Sequence, residues 1–145
     1  MKKQLLLLLA ILGIGFLVGV VSGFKVTVSD YNIVDKNAIQ TFINTFTMNY
    51  WYLFIMCILN DGASVIVNLF IIFCKGITLG TSFGILLKNK ALFGLGVYLI
   101  NFLGQFIILV PLMFAIVLLH FESFEKKLTF VTLVLVSYSF IIALI

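Results

Sequence analysis

Residues 62–87 form an apolar run of Ile, Leu, Val, Phe and Gly that carries one charge, Lys75, near its middle. As a helix this run rises ~39 Å, enough to cross a hydrocarbon core of roughly 30 Å. Lys75 then lies near the bilayer centre, where a lysine costs on the order of 2.5–3.5 kcal/mol even on the mildest scale. Such a residue calls for oxygen partners inside the protein. The run also limits the solvent, since 63% of the chain's 145 residues are apolar and only 10% are charged. Too few polar groups remain to cover a surface in water, so lipid is the expected solvent.

Four spans are expected, at about 5–24, 62–87, 91–119 and 128–145, in a single integral membrane domain covering residues 1–145. The fold class is therefore all-α: a polytopic transmembrane helical bundle. Span one follows Lys2 and Lys3 and is long for a signal-peptide core of roughly 7–15 residues. It reads as a retained anchor.

Residues 25–60 read as an extracytoplasmic or interfacial segment. Within it Ile39, Phe42, Ile43 and Phe46 recur at helical spacing, which predicts an amphipathic helix in the interface. Tyr50, Trp51 and Tyr52 follow at the expected headgroup level. Residues 51–59 are apolar but too short to span, which suggests a half-buried or re-entrant piece. Asn60-Asp61-Gly62 reads as a turn or helix start, with either polar residue able to cap.

The formal net charge is +4, and every cation is lysine. With abundant Phe, Ile and Asn, this suggests the coding bias of low-GC bacteria and a bacterial cytoplasmic membrane. Placing the N-terminus in the cytoplasm puts Lys2, Lys3, Lys88 and Lys90 inside with no acid. Lysine count alone does not separate the sides; the short, acid-free dilysine start and KNK loop favour this orientation. Nothing in the charge pattern points to nucleic acid.

Two sets of in-membrane residues stand out. Asp61, Asn68, Lys75 and Ser82 are spaced by seven, which stacks them on one helical face with ~20° drift per step. Gly76, Gly80 and Gly84 form a GxxxGxxxG run on a neighbouring face, and Gly15, Gly19 and Gly23 repeat it in span one. Small residues allow helix backbones to approach closely in lipid, so spans one and two are expected to pack along a glycine zipper, within one chain or between copies.

The next span carries Asn101, Gln105 and Pro111. Spans two and three form a hairpin through the KNK loop. Lys75 lies fourteen residues before Asn89, and Asn101 and Gln105 lie twelve and sixteen after it. These two amides therefore bracket the depth of Lys75. Pro111 frees a carbonyl one turn earlier, near Ile107, as a further acceptor. Asp61 lies ~21 Å from Lys75 along a helix, too far to pair within it.

No HExxH, GxSxG, P-loop or CxxC is present. Cys57 and Cys74 read as packing residues. His120, near Glu122 and Glu125, reads as a solvated loop histidine. With no nucleophile–base pair and no ligand cluster, neither an enzyme nor a bound metal or cofactor is expected.

The run Ile71-Ile72-Phe73-Cys74-Lys75-Gly76-Ile77-Thr78-Leu79-Gly80 resembles the apolar-KGxxLG signature of the stage II sporulation protein M family. The glycine-rich first span, Asn60 and Leu109-Val110-Pro111-Leu112 add to the resemblance, which covers about residues 5–120. It implies a polytopic bacterial membrane protein without an active site, with Lys75, Gly76, Gly80 and Pro111 as motif positions. The implied role is a scaffold for cell-wall-remodelling partners. Some relatives instead suggest a membrane subunit of a bacteriocin export or immunity system, or of one associated with an ABC transporter.

Overall fold

The computed structural model describes residues 1–26, 37–59, 62–88, 102–119 and 121–144. Every regular element among them is helical: α1 (Lys2–Lys25), α2 (Ala38–Ile58), α3 (Gly62–Lys88), α4 (Phe102–Leu118) and α5 (Phe124–Leu144). Lys2–Lys25, Val65–Lys88 and Phe124–Leu144 are long and apolar enough to cross a membrane, the mark of a multi-pass membrane protein. Their outward faces are bare hydrocarbon: Leu6, Leu17, Ile66, Phe70, Leu133 and Leu144 are each more than 60% exposed. In lipid that surface needs no covering.

The glycines set the closest packing. A methyl group added to Gly15 would lie 2.5 Å from the Phe73 carbonyl oxygen, one on Gly23 2.5 Å from that of Thr81, and one on Gly76 2.5 Å from that of Leu12. On Gly19 it would collide with the Ile77 carbonyl, and on Gly80 with that of Phe16. All of these obstacles are backbone, which no rotamer change can move aside. Each helix thus lays its carbonyl edge into the other's glycine groove, gaining dispersion and weak CH–O contacts.

The contact runs Gly15 to Phe73, Gly19 to Ile77, Gly23 to Thr81, so α1 and α3 are parallel. At the far end Lys88 Nζ donates to the Val26 carbonyl at 3.0 Å. This corrects the expected grouping of Lys88 with Lys2 and Lys3 on one side. Lys88 lies beside the C-terminal end of α1, a full helix length from the dilysine start. The spacing GxxxGxxxG is the same read in either direction, so it specifies contact but not polarity.

The remaining helices alternate in direction. Phe102 stacks near Phe83, with ring centroids 5.5 Å apart, while Gln105 reaches Lys75, so α4 runs antiparallel to α3. Phe16 completes a three-ring cluster with Phe83 and Phe102, tying α1, α3 and α4 together. Residues Phe54, Cys57 and Ile58 of α2 share a cleft with Leu119 and Lys127, at the end of the bundle toward which α4 runs. Gly104 packs against Tyr138 and Ile142, so α5 runs back the other way.

The three long apolar helices therefore all point in one direction, and α2 and α4 provide the return legs. Residues 38–58 form one continuous helix of 21 residues, packed mainly on α5, with Asn49, Leu53, Met56 and Cys57 buried. This differs from an interfacial helix followed by a separate half-buried piece. At 1.5 Å per residue α2 is about 31 Å long, enough for a full return. Phe42, Phe46, Tyr50 and Phe54 stack along it at i,i+4 with centroids 6.1, 5.3 and 5.6 Å apart. The aromatic triplet does not form a uniform headgroup belt: Trp51 is 63% exposed, whereas Tyr52 turns into the bundle.

Candidate functional site: a caged lysine inside the bundle

Lys75 sits half-buried on α3, one residue from Gly76. Consecutive residues on a helix are about 100° apart. Gly76 therefore meets α1 while Lys75 points toward α2 and α4. Lys75 Nζ donates to Gln105 Oε1 at 3.1 Å. The same ammonium lies 5.2 Å from the centroid of the Tyr52 ring, within cation–π range. The Tyr52 hydroxyl in turn donates to Asn49 Oδ1 at 2.7 Å, and Asn49 Nδ2 donates to the Thr45 carbonyl at 2.7 Å. One charge thus joins three helices through an amide oxygen and an aromatic face. Asn49, the outermost of these, is anchored to the Thr45 backbone, which fixes its orientation.

Pro111 shapes this site from a distance. Lacking an N–H, it cannot donate to the Ile107 carbonyl. The backbone upstream opens into a π turn over Gln105–Leu109, and the Val110 N–H bonds to the Gln105 carbonyl. Such π turns relieve a broken α ladder and redirect side chains. Gln105, the residue that reaches Lys75, is the first of this turn. Pro111 itself is exposed.

The other residues of the heptad line divide. Asn68 is 6% exposed, and its Oδ1 has no partner among the described residues. Ser82 is exposed and donates to the Thr78 carbonyl of its own helix at 3.0 Å. Thr78 likewise donates to the Lys75 carbonyl at 2.8 Å. The expected continuous polar face therefore ends at Lys75, because hydroxyls one turn from a carbonyl satisfy themselves and can face lipid. Asp61, Asn101, Asn60, Asn89 and His120 lie outside the described residues, as does 91–101 of the expected third span.

Gly76, Gly80 and Gly84 are buried against α1. A homo-oligomer through the same glycines would first have to displace that helix. Both cysteines are free thiols, Cys57 buried and Cys74 half-buried. Among the described residues no group of three His, Cys, Asp or Glu side chains is placed to hold a metal.

Sequence reading missed Tyr52 and Asn49. Asn49, Leu53, Met56 and Cys57 are the buried residues of α2, with i, i+4, i+7, i+8 spacing. That stripe was visible in the sequence, though masked by the Asn and Thr residues around it. The chain matches no protein-family model, no curated protein and no solved structure.

Proposed function

We propose that the chain is a non-catalytic integral membrane scaffold, the role implied by its resemblance to the stage II sporulation protein M family, and that it holds cell-wall-remodelling partners at the bacterial cytoplasmic membrane. The observation that carries this reading is where Lys75 is directed. Its ammonium is engaged by Gln105 and Tyr52, so the strongest charge in the apolar zone ties α2, α3 and α4 together. An ion-coupled carrier needs its charge free to change partners. With the glycine seam closed between α1 and α3, the surface left for partners is the lipid-facing one. On α2 it includes Met48, Trp51 and Ile55, which are 79%, 63% and 44% exposed.

The polarity of the helices favours five crossings. Three parallel spans need two returns, and lipid tolerates a return leg only as a helix with its backbone groups paired. We place the dilysine start in the cytoplasm, which also puts Lys126 and Lys127 on that side.

Photo-crosslinkers at Met48 and Trp51 in native membranes test the scaffold reading. Capture of peptidoglycan hydrolases supports it. Capture of an ABC-transporter ATPase together with a peptide precursor would move the assignment to a bacteriocin export or immunity subunit. Ion or peptide flux in proteoliposomes of the purified chain would overturn the scaffold reading outright.

A further inference from the structure

A cleft of about 590 Å³ opens at the end of the bundle where α2 and α4 finish and α5 begins. Phe54, Ile58, Leu119, Phe121 and Phe124 supply apolar walls, and Cys57 lies among them. The polar lining is Glu122, Ser123 and Lys127.

Lys127 is the unusual member. It is a first-turn residue of α5, yet it is only 6% exposed. Its neighbour Lys126 is exposed and ion-paired with Glu122. The Ser123 hydroxyl accepts the Lys126 N–H at 3.3 Å. Lys127 has no side-chain ion pair or hydrogen bond among the described residues. What is buried is chiefly its aliphatic stem: among the described residues the Lys127 ammonium is not one of the fully buried, unpartnered polar atoms, as expected of a lysine that runs its stem along apolar walls and keeps its tip solvated. The first turn of α5 adds its own positive dipole at the same place. Glu122 is paired with Lys126 and Glu125 lies in the same first turn, so with Lys127 these four charges balance, and Lys127 is the cation that lines the cleft among phenyl rings and branched aliphatics.

We propose that this cleft binds an anionic phospholipid, with the phosphate on Lys127 and the α5 N-terminus and the proximal acyl carbons against Phe54, Phe121 and Phe124. The proposal rests on the membrane placement above. That placement sets a helix end, and hence this cleft, at headgroup depth, where phosphate and hydrocarbon meet. A soluble anion would use the cation but not the apolar walls. A neutral lipid would use the walls but leave Lys127 without a counter-charge.

Native mass spectrometry from detergent micelles, with phosphatidylglycerol titrated against phosphatidylcholine, tests it. Wild type should retain one phosphatidylglycerol in preference to phosphatidylcholine. Lys127→Gln should weaken that retention about tenfold, the loss expected when one charge-assisted phosphate contact becomes a neutral one. Lys127→Gln keeps most of the buried stem and removes a charge that has no ion pair among the described residues, so folding should survive, and an unchanged thermal midpoint in detergent checks this. Lys127→Arg should keep binding, and Lys3→Gln, at an exposed lysine outside the cleft lining, should leave it unchanged. Equal loss in Lys3→Gln, equal retention of phosphatidylcholine, or full displacement by inorganic phosphate would each overturn the proposal. A chain that folds as a monomer without detergent would instead sink the membrane placement, a different result from unselective lipid retention.

Discussion

Two interfaces meet on α3, and they are built on opposite principles. Toward α1, Gly76, Gly80 and Gly84 offer no side chains, and the contact is backbone against backbone. Toward α2 and α4, Lys75 offers the longest aliphatic stem with a charge at its tip, and the contact is a single hydrogen bond with an aromatic face beside it. In water both would be minor contributors. In lipid, apolar side chains gain little from helix association because acyl chains are equally apolar. What remains is very close approach, or polar groups that hydrocarbon cannot satisfy. The segment Lys75-Gly76-Ile77-Thr78-Leu79-Gly80 uses both within two turns. It is therefore where α3 is gripped from two sides, which gives the KG pair a physical reason to be adjacent.

The glycine interface should be the less forgiving. Gly80→Val would drive a branched side chain into the Phe16 carbonyl region, and only separation of the helices relieves it. The expected loss is about 3 kcal/mol or more, beyond ordinary overpacking because the obstacle is backbone. It would appear as a lower thermal midpoint in detergent. Cysteines placed at Val26 and Lys88, joined by a short bis-maleimide, should also stop cross-linking. Efficient cross-linking in Gly80→Val would mean that the seam does not hold α1 in place.

The polar interface should be replaceable as a unit. Gln105→Leu leaves the Lys75 ammonium without its acceptor and should destabilise by ~2–3 kcal/mol. Adding Lys75→Leu to that variant should recover most of the loss, because two apolar groups of similar shape need no partner in an apolar interior. The double-mutant cycle therefore predicts strong coupling between positions 75 and 105. Additive losses would show that the pair seen at 3.1 Å contributes little.

Legibility in the sequence followed the same division. The α1–α3 contact was visible because triple glycine runs in two apolar stretches have few other uses. Its direction was not, since the repeat is symmetric on reversal. Lys75–Gln105 was visible because a hairpin makes depth a matter of counting from Asn89. Tyr52 was not, because it comes from a helix whose Asn and Thr residues lower its hydropathy. Those residues find partners in the folded chain, as Asn49 does with Thr45 and Tyr52. Ser82 was over-read, since heptad spacing groups side chains by face without saying which can satisfy themselves on their own helix. Lys127 lies one residue before the expected fourth span, and only the fold brings α2 beside it.

Tyr52 allows the polar cage to be taken apart in two steps. Tyr52→Phe keeps the ring over Lys75 but removes the hydroxyl that donates to Asn49, leaving a buried carbonyl oxygen unpartnered. About 1 kcal/mol should be lost. Tyr52→Leu removes the ring as well and should lose ~1 kcal/mol more, the worth of a partly desolvated cation–π contact. If both variants melt at the same temperature, the ring is only a spacer and Gln105 alone holds the ammonium.

The smallest effect should come from a glycine outside the seam. Gly13 lies in α1 two residues before Gly15, yet nothing lies within 4 Å of where its Cβ would be. Gly13→Ala therefore meets no obstacle and removes a flexible residue from a helix interior. It should stabilise by ~0.5–1 kcal/mol through helix propensity alone. Gly15→Ala makes the identical chemical change two positions away and should be destabilising, since its methyl would meet the Phe73 carbonyl at 2.5 Å. The pair holds composition and depth nearly constant and varies only what the methyl meets. Opposite signs in the thermal midpoint would attribute the difference to close backbone approach. Equal signs would reduce the six seam glycines to the general abundance of glycine in membrane helices.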